Sequence, residues 1–215
     1  MLAIIDCAII RKSLHCYNGI VTRNNLPVTY HDAPNFSLDY LNENQASGYI
    51  ILGSKSNVED KLPWQIALMN IMKKKIEKHI PVIGICFGHQ LMAHAFGATI
   101  GKCSQDYRGF RKVDIINDHL CFKKGTSFNL IKAHGYEVKN LPANFIHLGT
   151  SGECTYDMIG HQQLPYVGIQ CHPEATADFI LKALEINPPF NPPLKQAMSD
   201  GFSLIDQLIK TFLHP

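Results

Sequence analysis

The sequence has no run of about 18 apolar residues, so nothing in it is expected to span a membrane. It also has no basic leader. The chain opens Met1-Leu2-Ala3-Ile4-Ile5-Asp6, and an aspartate inside the apolar stretch reads as a first strand rather than a secretion signal. Cys-x-x-Cys spacing is absent, and the cysteines (Cys7, Cys16, Cys86, Cys103, Cys121, Cys154, Cys171) are odd in number. Without an export signal they are expected to be reduced thiols in a cytoplasmic protein. Excess charge of one sign is lacking too: the formal net charge is +2, and the longest basic run is Lys73-Lys74-Lys75. That triplet reads as the solvated face of a helix, so nucleic acid is not expected as a partner. His89 with His94, or Cys171 with His172, are pairs that offer metal ligands. No spacing resembles a closed zinc site, and no metal is expected. Internal repeats and low-complexity segments are missing.

What is present suits one α/β domain over residues 1–215, long enough to bury roughly 70% of its unfolded surface. Strands are expected at Leu2–Ile5, Pro27–His31 and Tyr49–Leu52, with helices from about Arg11 to Thr22 and from Ser37 to Asn44. Pro63 opens a further helix in which Trp64, Leu68, Ile71, Met72 and Ile76 share one face. This alternation predicts a mainly parallel sheet flanked by helices. From Thr99 to Gln170 the pattern shifts to short strand-like runs, at 98–102, 110–117, 145–149, 158–159 and 166–170, several of them read as an antiparallel extension. A helix is expected over 176–186, then a rigid Pro-rich linker from Asn187 to Pro193 and a final helix from Leu194 to Leu213.

The chain is organised around Pro81–Thr99. Val82, Ile83 and Ile85 form a short β-branched run read as a strand buried on both faces. Cys86-Phe87-Gly88 then turns into a helix that ends before Gly97. Strand, tight turn and helix with Gly84-x-Cys86-x-Gly88 form a nucleophile elbow, in which Cys86 sits at a helix N-terminus that favours the thiolate. Taken alone, the pattern also fits a buried structural cysteine in an ordinary βα turn.

A second run, Val167-Gly168-Ile169-Gln170-Cys171-His172-Pro173-Glu174, delivers a histidine from a strand end. In extended backbone, residues two apart point the same way, so Glu174 can accept a hydrogen bond from the His172 ring and fix its tautomer. That is a base with its orienting group, the half that an activated cysteine needs. By itself His-Pro-Glu also fits a surface turn.

Together, Gly-Ile-Cys-Phe-Gly-His-Gln and, 86 residues after Cys86, Gln-Cys-His-Pro-Glu resemble the class I, triad-type glutamine amidotransferases over about Leu2 to Ile186. The chain looks most like members similar to the glutaminase part of GMP synthetase. The resemblance implies a catalytic Cys86, His172 and Glu174, and an oxyanion hole from the backbone N–H groups of Gly53 and Phe87. It also implies substrate contacts from Gln90, Gly135 and Tyr136, and no cofactor. Ala133-His134-Gly135-Tyr136-Glu137-Val138 resembles the segment that holds the α-carboxylate end of glutamine.

Three residues depart from that pattern. Ala133 stands where relatives carry Ser or Asn, Tyr136 where synthetase-like members have Asp, and Cys171 where Phe is usual. Only about 40 residues follow Glu174, too few for an ATP-using synthetase domain. Two enzymatic readings therefore stand: a glutaminase whose partner is a separate synthetase subunit, or a free-standing hydrolase of γ-glutamyl compounds. A catalytically inactive binding module on the same fold is the third.

Overall fold

The computed structural model describes residues 1–43 and 46–213. Its spine is a nine-stranded sheet built from β1 (Leu2–Asp6), β2 (Val28–Asp32), β3 (Gly48–Ile51), β4 (Val82–Ile85), β5 (Ile100–Ile115), β6 (Ser127–Val138), β7 (Phe145–Thr150), β8 (Met158–His161) and β9 (Tyr166–Ile169). The spatial order is β2-β1-β3-β4-β9-β8-β7-β5-β6. The first five in that order pair parallel, and β9 to β6 pair antiparallel. The expected parallel sheet with an antiparallel extension is therefore observed, the two parts making one mixed sheet.

The helices are α1 (Leu14–Asn24), α2 (Asp39–Glu43), α3 (Pro63–Glu77), α4 (Phe87–Ala95), the short α5 (Ala177–Phe179, continued by a wider turn over Ile180–Leu184) and α6 (Pro192–Leu208, continued over Ile209–Leu213). Strand alternation sorts the core into two layers. Leu2 and Ile4 of β1 pack with Ile20 of α1 and with Leu204, Ile205 and Leu208 of α6. Ala3 and Ile5 pack on the other face with Leu68 and Met72 of α3 and Leu91 of α4. An Arg23–Asp206 ion pair at 2.8 Å joins α1 to α6.

Several boundaries differ from the sequence reading. The runs at 98–102 and 110–117 are parts of one strand, β5, which pairs along its length with β6 and carries an irregularity between Lys102 and Tyr107. Strand β6 itself has no counterpart among the expected runs. Helix α1 begins at Leu14, because the buried Asp6 carboxylate accepts the backbone N–H groups of Ala8 (2.9 Å) and Ser13 (2.6 Å) and holds the intervening loop out of helical geometry. Pro192 and Pro193 belong to the first turn of α6, not to a linker: the Asn191 side chain caps the helix by accepting from Leu194 N–H at 3.0 Å, and prolines lose nothing where the N–H is unpaired anyway. Asn44, the expected end of the second helix, lies outside the described residues.

Candidate active site

Strand β4 runs directly into α4 through Cys86, whose backbone is forced to φ 51°, ψ −102°. A non-glycine residue there is strained and persists only where its surroundings over-determine it. Here they do. The Cys86 N–H donates to Ile169 O of β9 at 2.8 Å, and the Cys86 carbonyl accepts from Gln90 N–H at 3.0 Å. A Cβ at Gly84 would meet Gly88 O at 2.6 Å, and one at Gly88 would collide with Ile51 O, so helix, turn and strand close up only with glycine at both places.

Strand β9 lies beside β4 and ends shortly before His172. The His172 N–H donates to Ile131 O at 2.8 Å and its carbonyl accepts from Ala175 N–H at 3.2 Å, which fixes the turn holding Pro173 and Glu174. The His172 Nδ1 and Glu174 Oε1 are 2.9 Å apart, and both side chains are buried. A carboxylate only accepts, so Nδ1 carries the proton and Nε2 is left for the cysteine side. Burial alone would push the His172 ring down. The charges of Glu174 and Cys86, with hydrogen bonds to both, outweigh it and lift the ring from 6.5 to about 10.

Gly53, just past β3, is the close wall over this pair. A Cβ on it would stand 2.8 Å from His172 Cε1 and 3.5 Å from Cys86 Cβ. Phe87 is the first residue of α4, where N–H groups have no intrahelical acceptor, and its buried ring packs on Trp64 with centroids 5.5 Å apart. Gln90 is committed to the protein: its Nε2 donates to Tyr136 O at 2.7 Å and to Gln170 Oε1 at 3.0 Å, tying α4 to β6. Gly135 and Tyr136 lie on that strand and line the cleft with Ala133, and Gly135 leaves space for the Asp106 carboxylate.

The cleft is about 980 Å³, at the upper end for small-molecule sites. It extends past Cys86 and His172 to Ala8–Ser13 and to Leu181, Lys182, Ala183 and Glu185. Sequence reasoning missed both of those walls. The signal that would have found the first is Asp6, an aspartate at a strand end followed by a loop whose N–H groups need an acceptor. His89 faces the interior, where burial lowers it to about 3, and His94 Nδ1 lies 3.1 Å from Ala98 O. Among the described residues no helix is long and apolar enough to cross a membrane.

The sequence profile described as glutamine amidotransferase class-I matches residues 3–179. The chain is 34% identical over 105 residues to a glutamine-hydrolyzing GMP synthase subunit of Pyrococcus abyssi, spanning 48% of this chain and 56% of that protein. It is 32% identical over 141 residues to the glutamine-hydrolyzing GMP synthase of Campylobacter lari, spanning 65% of this chain and 27% of that one. The match thus spans only about half the length of the Pyrococcus protein. A crystal structure of a glutamine amidotransferase from Thermotoga maritima has a TM-score of 0.78 at 20% identity, covering 100% of this chain and 98% of that one. One from Methylobacillus flagellatus has a TM-score of 0.69 at 18% identity, covering 99% and 92%. At such identities these two speak for the fold.

Proposed function

The chain belongs to the class-I glutamine amidotransferase family, and on that premise we propose that it hydrolyses the side-chain amide of glutamine through a thioester on Cys86. The observation that carries the reading is the strained Cys86, at a strand–helix turn, beside a histidine whose other nitrogen is held by Glu174. The Cys86 sulfur attacks the amide carbon. Backbone N–H groups of Gly53 and Phe87 receive the oxyanion, the kind of donor whose loss costs about 3 kcal/mol. The tetrahedral adduct collapses, the C–N bond breaks, and the proton that Cys86 has passed to His172 Nε2 leaves with the nitrogen as ammonia. Water then attacks the γ-glutamyl thioester, His172 takes its proton, and glutamate departs as the cysteine is restored. Gln90 positions the Tyr136 carbonyl, and Gly135 with Tyr136 forms the wall against the amino-acid end. The Pyrococcus relative is named as one subunit of its synthase, which supports a separate synthetase partner as the user of the ammonia.

An electrophilic glutamine analogue such as a diazoketone is expected to add to Cys86 alone. The competitors are unreactive thiols: burial raises Cys7, Cys16, Cys121, Cys154 and Cys171 and pushes Cys103 up to about 12. Intact mass with peptide mapping reads the result, and an adduct on Cys103 or Cys171 in place of Cys86 refutes the nucleophile assignment.

The length of the cleft favours a second reading. The same cleft is lined by Ile9, Ile10 and Leu181, which supports room for a leaving group larger than ammonia. As a free-standing γ-glutamyl hydrolase the purified chain is expected to turn over γ-glutamyl amides of larger amines with kcat/KM at least equal to that for glutamine. A panel measured without any partner separates the two. Strong preference for glutamine, or silence until a synthetase partner is added, selects the amidotransferase.

A further inference from the structure

Three metal-ligating side chains from separate parts of the chain converge, one of them, His134, at the cleft wall. His134 of β6, Cys154 of the β7–β8 loop and Asp157 just before β8 each bring one donor atom within 4.8 Å of the other two, and all three are buried. No other such group occurs among the described residues. His134 is 6% exposed, and its Nδ1 lies 3.0 Å from the Tyr136 carbonyl. A carbonyl only accepts, so Nδ1 is the protonated nitrogen and Nε2 holds a lone pair. That Nε2 is buried without a hydrogen-bond partner. One ring N–H on a backbone carbonyl, with the other nitrogen bare, is the arrangement that metal-bound histidines adopt.

The surroundings complete the set. Asp157 contacts Lys132 Nζ through both oxygens, at 2.7 and 2.8 Å, and Lys132 is also held by Ser151 Oγ at 2.8 Å. Asp157 can therefore turn one oxygen to a cation and keep the other on Lys132. Glu137, which interacts with Cys154, accepts from Lys139 Nζ through Oε1 at 2.6 Å, and its Oε2 is buried with no hydrogen-bond partner. One imidazole, one thiolate and two carboxylates are the ligands of borderline divalent ions, and four donors suit tetrahedral zinc.

We propose that His134 Nε2, Cys154 Sγ and one Asp157 oxygen, with Glu137 Oε2 as fourth donor, bind a single zinc-class divalent cation that pins the cleft-lining β6 to the loop before β8. As the metal–sulfur bond forms, the Cys154 thiol releases its proton to solvent. No residue is oxidised or reduced.

The test is a titration of chelator-treated full-length protein with Co²⁺, then Zn²⁺. The expected result is one equivalent of Co²⁺ with a near-ultraviolet thiolate-to-cobalt band, displaced by Zn²⁺ and absent in Cys154→Ser. Because Cys154 is buried and its variant can misfold, Glu137→Gln is the second variant. It is expected to keep the circular dichroism of the parent and bind Co²⁺ about tenfold more weakly. Sub-stoichiometric binding, a cobalt spectrum without the thiolate band, a band that persists in folded Cys154→Ser, or unchanged affinity in Glu137→Gln overturns the proposal.

Discussion

Replacing His172 with alanine is expected to lower kcat for amide hydrolysis by roughly 10⁵–10⁶-fold, the scale at which nucleophile–base units collapse when the base is removed. His172 is the ring that interacts with Cys86, and Glu174 cannot stand in for it, being turned to the far side of the imidazole at Nδ1. Glu174→Gln keeps a side chain of the same size and is expected to be about 10²-fold less damaging, since it removes the charge that orients the imidazole and not the imidazole itself. The pH profile distinguishes this role from a merely structural one. In the parent, the charges of Glu174 and Cys86 hold the His172 proton on up to about 10, against an ordinary 6.5. A group raised in the folded state favours folding fully below its unfolded value and loses that contribution as pH rises through the folded one. Without the Glu174 charge the ring should release its proton at lower pH, moving the alkaline limb of kcat/KM toward acid. Equal losses in both variants, or an alkaline limb that stays put in Glu174→Gln, refute the assignment of Glu174 as the orienting group.

Asp157→Asn is expected to cost about 3–5 kcal/mol of folding stability, measured as a urea midpoint on chelator-treated protein. The Lys132–Asp157 pair is almost wholly dry, with side chains 1% and 0% exposed. Removing one partner from such a pair strands the other charge in the interior. Lys132 would be left with Ser151 Oγ as its hydrogen-bond acceptor. The double replacement Lys132→Met with Asp157→Leu removes both charges and is expected to regain much of the loss. A drop below about 1 kcal/mol in Asp157→Asn would mean that water reaches the pair.

The same pair shows why part of the fold is hard to read from sequence. The parallel half announces itself, because β1, β3 and β4 are buried on both faces and their β-branched runs are nearly unbroken. The elbow is equally plain, since its geometry is imposed by glycines within one short stretch, and the His172–Glu174 pairing follows from adjacency in the chain. Strand β6 carries Lys132, His134 and Gly135, which break the apolar alternation, so it reads as a polar loop. Those residues are tolerated in a strand because Asp157, Ser151 and the Tyr136 carbonyl partner them, and Asp157 is 25 residues from Lys132. The middle of β5 is polar because it is exposed, and only its pairing with β6 makes it a strand. The cleft walls at 8–13 and 181–185 carry no periodic signal because they are loop and wide-turn segments, the first of them placed by Asp6.

The hydrogen bond from Cys86 N–H to Ile169 O has a kinetic meaning as well as a geometric one. The strands that carry the cysteine and the histidine are neighbours in the sheet, yet the whole antiparallel excursion from β5 to β8 lies between them in the chain. Closing a loop of that size carries an entropic cost of order (3/2)RT ln n, and non-local strand pairing is correspondingly slow. A chain emerging from the ribosome exposes its cysteine long before the histidine exists. Until β9 seats against β4, the turn at Cys86 lacks one of the hydrogen bonds that hold its strained backbone. Reactivity toward amides should therefore appear in step with the last-formed strand pair, and a nascent or partly unfolded chain carries the cysteine as an ordinary thiol.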